Sequence, residues 1–84
     1  MTFDPVLTTQ QFNILIRLAN GGSHITTAKE LGVSRDVVKN EALKVCHELG
    51  AETIPQAVAI AFCCDILSNR DIKGFGAPAQ KAAR

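Results

Sequence analysis

Apolar and polar positions recur at close to helical spacing in four stretches of the chain, each opened by a hydroxyl residue that suits a helix cap. The first three stretches also close on glycine. Pro5 ends any order ahead of the first, "TTQQFNILIRLAN", where Thr8 or Thr9 caps with Gln11 nearby as its capping-box partner. The pattern predicts a helix over 8–20 that buries Phe12, Leu15, Ile16, Leu18 and Ala19. Its Gln10, Asn13, Arg17 and Asn20 turn to water, and Gly21 and Gly22 stop it.

Ser23 caps a second stretch, "ITTAKEL", which makes barely two turns before Gly32. Ser34 caps the third, a helix over about 35–49 with Val37, Val38, Ala42, Val45, Cys46 and Leu49 on its apolar side and Gly50 after it. Ala28, Gly32 and Val38 stand at helix-turn-helix offsets. A small residue lets the two helices approach, glycine makes the turn, and a branched residue locks the second helix onto the first.

Thr53 with Gln56 opens the fourth stretch, and Pro55 is tolerated in a first turn, where its missing amide hydrogen would have no partner. The expected helix runs over 54–68. Its "AVAIAFCCDIL" is apolar nearly all round, more than one face of a small core requires. It is too short, and too polar at its ends, to span a bilayer, so no membrane role is expected. The surplus apolar face calls for a partner, most simply a second copy of the same helix. Beyond Asn69, "GFGAPAQKAAR" has little to bury. The expected division is one domain over 1–69 and a flexible basic tail over 70–84.

Eighty-four residues suffice for one modest core and no more. With neither Trp nor Tyr, and with Ala, Leu, Ile and Val supplying the bulk, the expected class is all-α. "MTFDPVL" lacks the basic start and long apolar run of a signal peptide, and three cysteines, an odd number, suit a reducing compartment. The expected location is cytoplasmic.

Charge divides along the chain. Residues 1–69 hold five Lys/Arg and seven Asp/Glu, a balance of −2, whereas 70–84 hold four Lys/Arg against Asp71, a balance of +3. Basic character therefore lies in the tail, where Lys81 and Arg84 could follow a DNA backbone or serve solubility. Cys46, His47, Cys63 and Cys64 lack the Cys-x-x-Cys spacing of structural zinc and lie in apolar runs. They read as packing cysteines. With no acid/base partner and no oxyanion site, neither catalysis, metal nor cofactor is expected. His24 follows the Ser23 cap as an exposed helix-start residue, within reach of a phosphate.

The stretch from Leu7 to Ala61 resembles the DNA-binding domain of LuxR/GerE-type transcription regulators. The resemblance rests on "LT", "LANGGS", "AKELGVS", "VVKN" and "LGA" followed by "AV", in order and without a gap. It covers about two-thirds of the chain. It implies a four-helix helix-turn-helix domain, DNA reading by the third helix and dimer formation through the fourth. Val37, Val38 and Lys39 fall on the family's "TVK" element, whose lysine contacts DNA. Ser34 caps near the backbone, Arg35 adds a phosphate contact, and Asn40 and Lys44 lie where relatives meet bases or phosphates. Arg35, Lys39 and Lys44 are spaced to lie roughly on one side of the helix. Val58, Ala61, Phe62 and Asp65 are the expected dimer contacts. The family's usual preceding sensor or receiver domain is not expected here, so regulation would fall to abundance, a partner or DNA occupancy.

The chain departs from the family pattern at Glu41, where His is usual, Glu48, where Lys is common, Ile54, where Arg is frequent, and Gln11, where Glu is frequent. The third helix therefore carries Arg35, Lys39 and Lys44 against Asp36, Glu41 and Glu48, a net charge of zero. Each phosphate that a protein leaves unneutralised takes about 0.9 from the salt slope of binding, so affinity would need dimerisation, the tail or both. Glu41 reads as a solvated carboxylate, with acceptance from cytosine N4 as the sharper option. Two functions follow: a homodimeric regulator of double-stranded DNA reading an inverted repeat about one helical turn apart, or a module that binds a protein partner on the same frame.

Overall fold

The structure, a computed structural model, describes residues 5–73. Among them every regular element is helical: α1 (Thr9–Ala19), α2 (His24–Leu31), α3 (Arg35–Leu49), α4 (Ile54–Cys63) and a 3-10 turn at Asn69–Asp71. None of these helices is long and apolar enough to cross a membrane.

Each helix starts where a side chain can accept from its third amide. Thr8 Oγ1 accepts from Gln11 N at 3.1 Å while Gln11 Oε1 accepts from Thr8 N at 3.0 Å, a reciprocal box. Ser23, Ser34 and Thr53 accept in the same way from Thr26, Val37 and Gln56. Gly32 and Gly50 end α2 and α3 with φ of 71° and 72°, a left-handed backbone that glycine enters without a Cβ penalty. Those turns let Val33 N donate to Ala28 O, and Ala51 N to Cys46 O, closing each helix on its own carbonyls.

The third helix packs against all of the other three. Two buried clusters form along it. Leu15, Val45, Leu49, Ala57, Ala61 and Leu67 make one, between α1, α3 and α4. Ile14, Ala28, Val38 and Ala42 make the other, between α1, α2 and α3. The sequence pattern omits Ile14, yet Ile14 and Leu15 are both fully buried. The first helix lies in a trough with a wall on each side, so two consecutive residues, about 100° apart around the axis, each meet one cluster.

Arg17 and Asn20, expected in water, are half-buried and engaged. Arg17 Nε lies 2.9 Å from Glu30 Oε1 on α2. Asn20 donates to Asp71 O at 2.9 Å and accepts from Lys73 N at 2.6 Å. The expected start of the tail, residues 70–73, is thereby fastened to α1; residues 74–84, with Lys81 and Arg84, lie outside the described residues.

The fourth helix ends five residues earlier than its pattern predicts. Asp65 adopts φ 62°, and Ile66 N and Leu67 N both turn back to Ala61 O at 2.8 and 3.2 Å. This reversal drops Leu67, 1% exposed, into the cluster around Leu15 and Val45. A continued helix would have carried Leu67 away along its axis. Burying one more leucine, worth about 2 kcal/mol, outweighs the left-handed penalty of about 1–2 kcal/mol, which an aspartate bears better than most residues.

Candidate nucleic-acid interface

Three helix starts meet at one groove. His24, Arg35 and Ile54, the first residues of α2, α3 and α4, line it together with Lys39, Asp36 and Ile25. The caps on Ser23, Ser34 and Thr53 satisfy only the third amide of each helix. That leaves the first two amides of α2 and α3 and, because Pro55 has no N–H, only the first of α4 without a side-chain cap, together with the positive ends of three helix dipoles at the groove. Anions are favoured at such a junction, and the extended phosphate backbone of a nucleic acid is one that several nearby starts can engage together.

Arg35, Lys39 and Asn40 are exposed and make no side-chain hydrogen bond or ion pair among the described residues. Ser34 is exposed too, its hydroxyl held by the cap to Val37 N at 3.1 Å. Val37 is 36% exposed rather than buried. Val38, by contrast, is fully buried against Ile14, Ala28 and Ala42. It locks α3 onto α1 and α2 and offers no surface to DNA.

Lys44 does not share a side with Arg35 and Lys39. Five residues separate it from Lys39, roughly 140° around the helix, and it lines a different hollow with Gln11, His47 and Glu48. Its Nζ lies 3.3 Å from Glu41 Oε2. The cations of α3 are thus split between two flanks, with Asp36, Asn40, Leu43 and His47 along the outward strip between them.

Glu41 is neither a solvated carboxylate nor a free acceptor for a base. Its side chain is 18% exposed, and Oε1 accepts from Gln11 Nε2 at 3.0 Å. That hydrogen bond is the main reason its carboxyl titrates below the ordinary 4.5; partial burial opposes the shift and Lys44 assists it. Gln11 and Glu41, two departures from the resembled pattern, are each other's partners. Glu48, another, accepts from Val6 N at 3.2 Å and holds the leading segment to α3.

On α4, Val58 and Phe62 are half-buried and rest against the core cluster with part of each surface open. Ala61 is fully buried within its own protomer and presents nothing to a partner. Asp65 stands in the turn beyond the helix. The open apolar surface of α4 instead takes in Ala59 and Cys63, both exposed. Cysteine packing is accordingly uneven: Cys46 is buried, and burial pushes its thiol up from 9.0, whereas Cys64 is half-buried and Cys63 exposed. Among the described residues no three His, Cys, Asp or Glu side chains gather as a metal site would require.

Sequence reasoning passed over Leu43 and the meeting of the helix starts. Leu43 was legible as an apolar residue off the buried spacing, three after Asn40. The convergence was not, since each cap reports only its own helix. Comparison with protein-family models, curated proteins and solved structures gives no match.

Proposed function

We propose that this chain is a small sequence-specific DNA-binding regulator of LuxR/GerE type. In this reading α2 and α3 form a helix-turn-helix, α3 enters the major groove and α4 pairs two copies. The observation that carries it is the groove where the starts of α2, α3 and α4 surround Lys39. Phosphates would lie across that groove against Arg35, Lys39 and the outward amides, while Asn40 reaches base edges. Lys44, on the opposite flank, is a weaker contributor than the resemblance implies. The pairing surface is Val58, Ala59, Phe62 and Cys63, whose open apolar atoms have no cover among the described residues.

The test is selection of bound duplexes from random DNA by the purified protein at low salt, with its mass in solution measured alongside. A selected motif with two related half-sites about one helical turn apart, and a dimeric mass, is the expected result. Absence of any sequence-selective complex at low salt counts decisively against DNA reading.

A second reading has an observation of its own. Residues 5–73 hold seven Lys/Arg and seven Asp/Glu, and the outward strip of α3 carries Asp36 and Leu43. A neutral body with an exposed apolar residue on its longest helix also suits docking on a larger regulator or on transcription machinery. Lys39→Ala separates the two: it weakens DNA binding and native function if DNA is the target and leaves partner co-purification intact if a protein is.

A further inference from the structure

Leu43 is 60% exposed, the most exposed of the large hydrophobic side chains on any described helix. Core packing does not account for it, because α3 buries its apolar side through Val38, Ala42, Val45 and Leu49. It stands between two hollows, one shared with Lys39, His24 and the start of α4 at Thr53 and Ile54, the other with Gln11, Lys44, His47 and Glu48. Around the axis it lies between Lys39, four residues earlier, and Asn40, three residues earlier. An apolar side chain set between a cation and a carboxamide meets water on the free protein, yet a DNA major groove offers each of the three a counterpart.

Those counterparts differ in chemistry. The lysine meets phosphate, the carboxamide can both donate and accept, and the leucine has only dispersion and desolvation to offer. Adenine alone presents an N6 donor beside an N7 acceptor, which matches both ends of Asn40. The one apolar group on a major-groove base edge is the C5 methyl of thymine. Three helical residues rise about 4.5 Å, close to one base-pair step of about 3.4 Å, so Asn40 and Leu43 address neighbouring pairs.

We propose that Asn40 and Leu43 together make α3 select an adenine and an adjacent thymine, with Leu43 seated on the thymine methyl. The inference rests on the DNA-binding reading above and narrows it to a class of half-site. Asn40 supplies the larger discrimination, and Leu43 distinguishes thymine from any base without a methyl at that position.

The experiment uses the full chain and the duplexes it selects from random DNA. Each thymine of the half-site is replaced in turn by deoxyuridine, which keeps every hydrogen-bonding group and removes only the methyl. At one position this substitution weakens wild-type binding about fourfold, the worth of one buried carbon. It has no effect there on Leu43→Ala, whose fold is checked by circular dichroism, and Leu43→Met retains the sensitivity. Asn40→Ala relaxes selection for the neighbouring adenine by tenfold or more. A selective complex that is indifferent to every deoxyuridine replacement overturns the Leu43 assignment while leaving DNA reading in place. An equal loss in wild type and Leu43→Ala overturns it too, and the lack of any selective complex removes it together with the reading beneath it.

Discussion

Gln11 Nε2 donates to Glu41 Oε1 at 3.0 Å, tying the first turn of α1 to the middle of α3 across 30 residues of sequence. Because the carboxylate is the better acceptor, the bond favours the ionised form and holds the Glu41 carboxyl below 4.5. A lowered folded value means that its stabilisation is present in full above 4.5 and is lost as pH falls through the folded value. An NMR titration should show the Glu41 carboxyl below its ordinary range in the wild type and moved back up in Gln11→Ala. Glu41→Gln keeps an acceptor for Gln11 but removes this component of acid sensitivity. Identical titration in wild type and Gln11→Ala would show that the bridge does not form in solution.

Lys39 and Lys44 should separate in their response to salt. On the DNA-binding reading, Lys39→Ala lowers the slope of log affinity against log salt by about 0.9, the share of one neutralised phosphate. Lys44, on the other flank and 3.3 Å from Glu41, changes the slope less when replaced by alanine. Equal changes would place the DNA on both flanks of α3. Binding isotherms between low and moderate salt measure both.

Leu67→Ala should destabilise the fold by about 2–5 kcal/mol, the range for a leucine deleted from a packed core. Chemical denaturation of wild type and variant gives the difference. The prediction depends on the reversal at Asp65, since a residue on a continued helix over 54–68 would sit farther from the core and cost much less. A loss under about 1 kcal/mol would contradict the packed position of Leu67, which is 1% exposed.

Thr27 is fully buried, and its hydroxyl has no hydrogen-bond partner among the described residues. Valine has nearly the same shape without the polar atom. Thr27→Val is therefore expected to raise stability by about 1 kcal/mol, seen as a higher denaturation midpoint with an unchanged slope. A decrease would mean that water reaches the hydroxyl or that it bonds a carbonyl in solution.

The three thiols should react in a set order. In dilute native protein Cys63, exposed, is alkylated first and Cys64 second. Cys46 follows only on unfolding, since it is buried and its thiol is held above the ordinary range. Mass spectrometry after timed alkylation reads the order. If α4 pairs two copies through the surface that carries Cys63, its labelling slows as protein concentration rises.

How much of this was legible beforehand depends on the range over which each feature is decided. Ser23, Ser34 and Thr53 each act on an amide three residues away, and Gly32 and Gly50 govern their own backbone angles, so the sequence by itself determined where α2, α3 and α4 start and where α2 and α3 stop, while leaving Thr8 or Thr9 open as the cap of α1. The same local logic made the all-α class plain. Tertiary structure decided what distant residues settle jointly. Glu41 found Gln11 rather than water, Glu48 found Val6 42 residues away, and Asn20 caught the chain 51 residues later. The end of α4 belongs with these, because the chain reverses at Asp65 for the sake of a core that α1 and α3 have already assembled around Leu67. Periodicity along one helix records that a face is apolar; only packing determines which of its residues meet neighbours, and so which, like Val38, are locked away and which, like Leu43, remain free to touch something else.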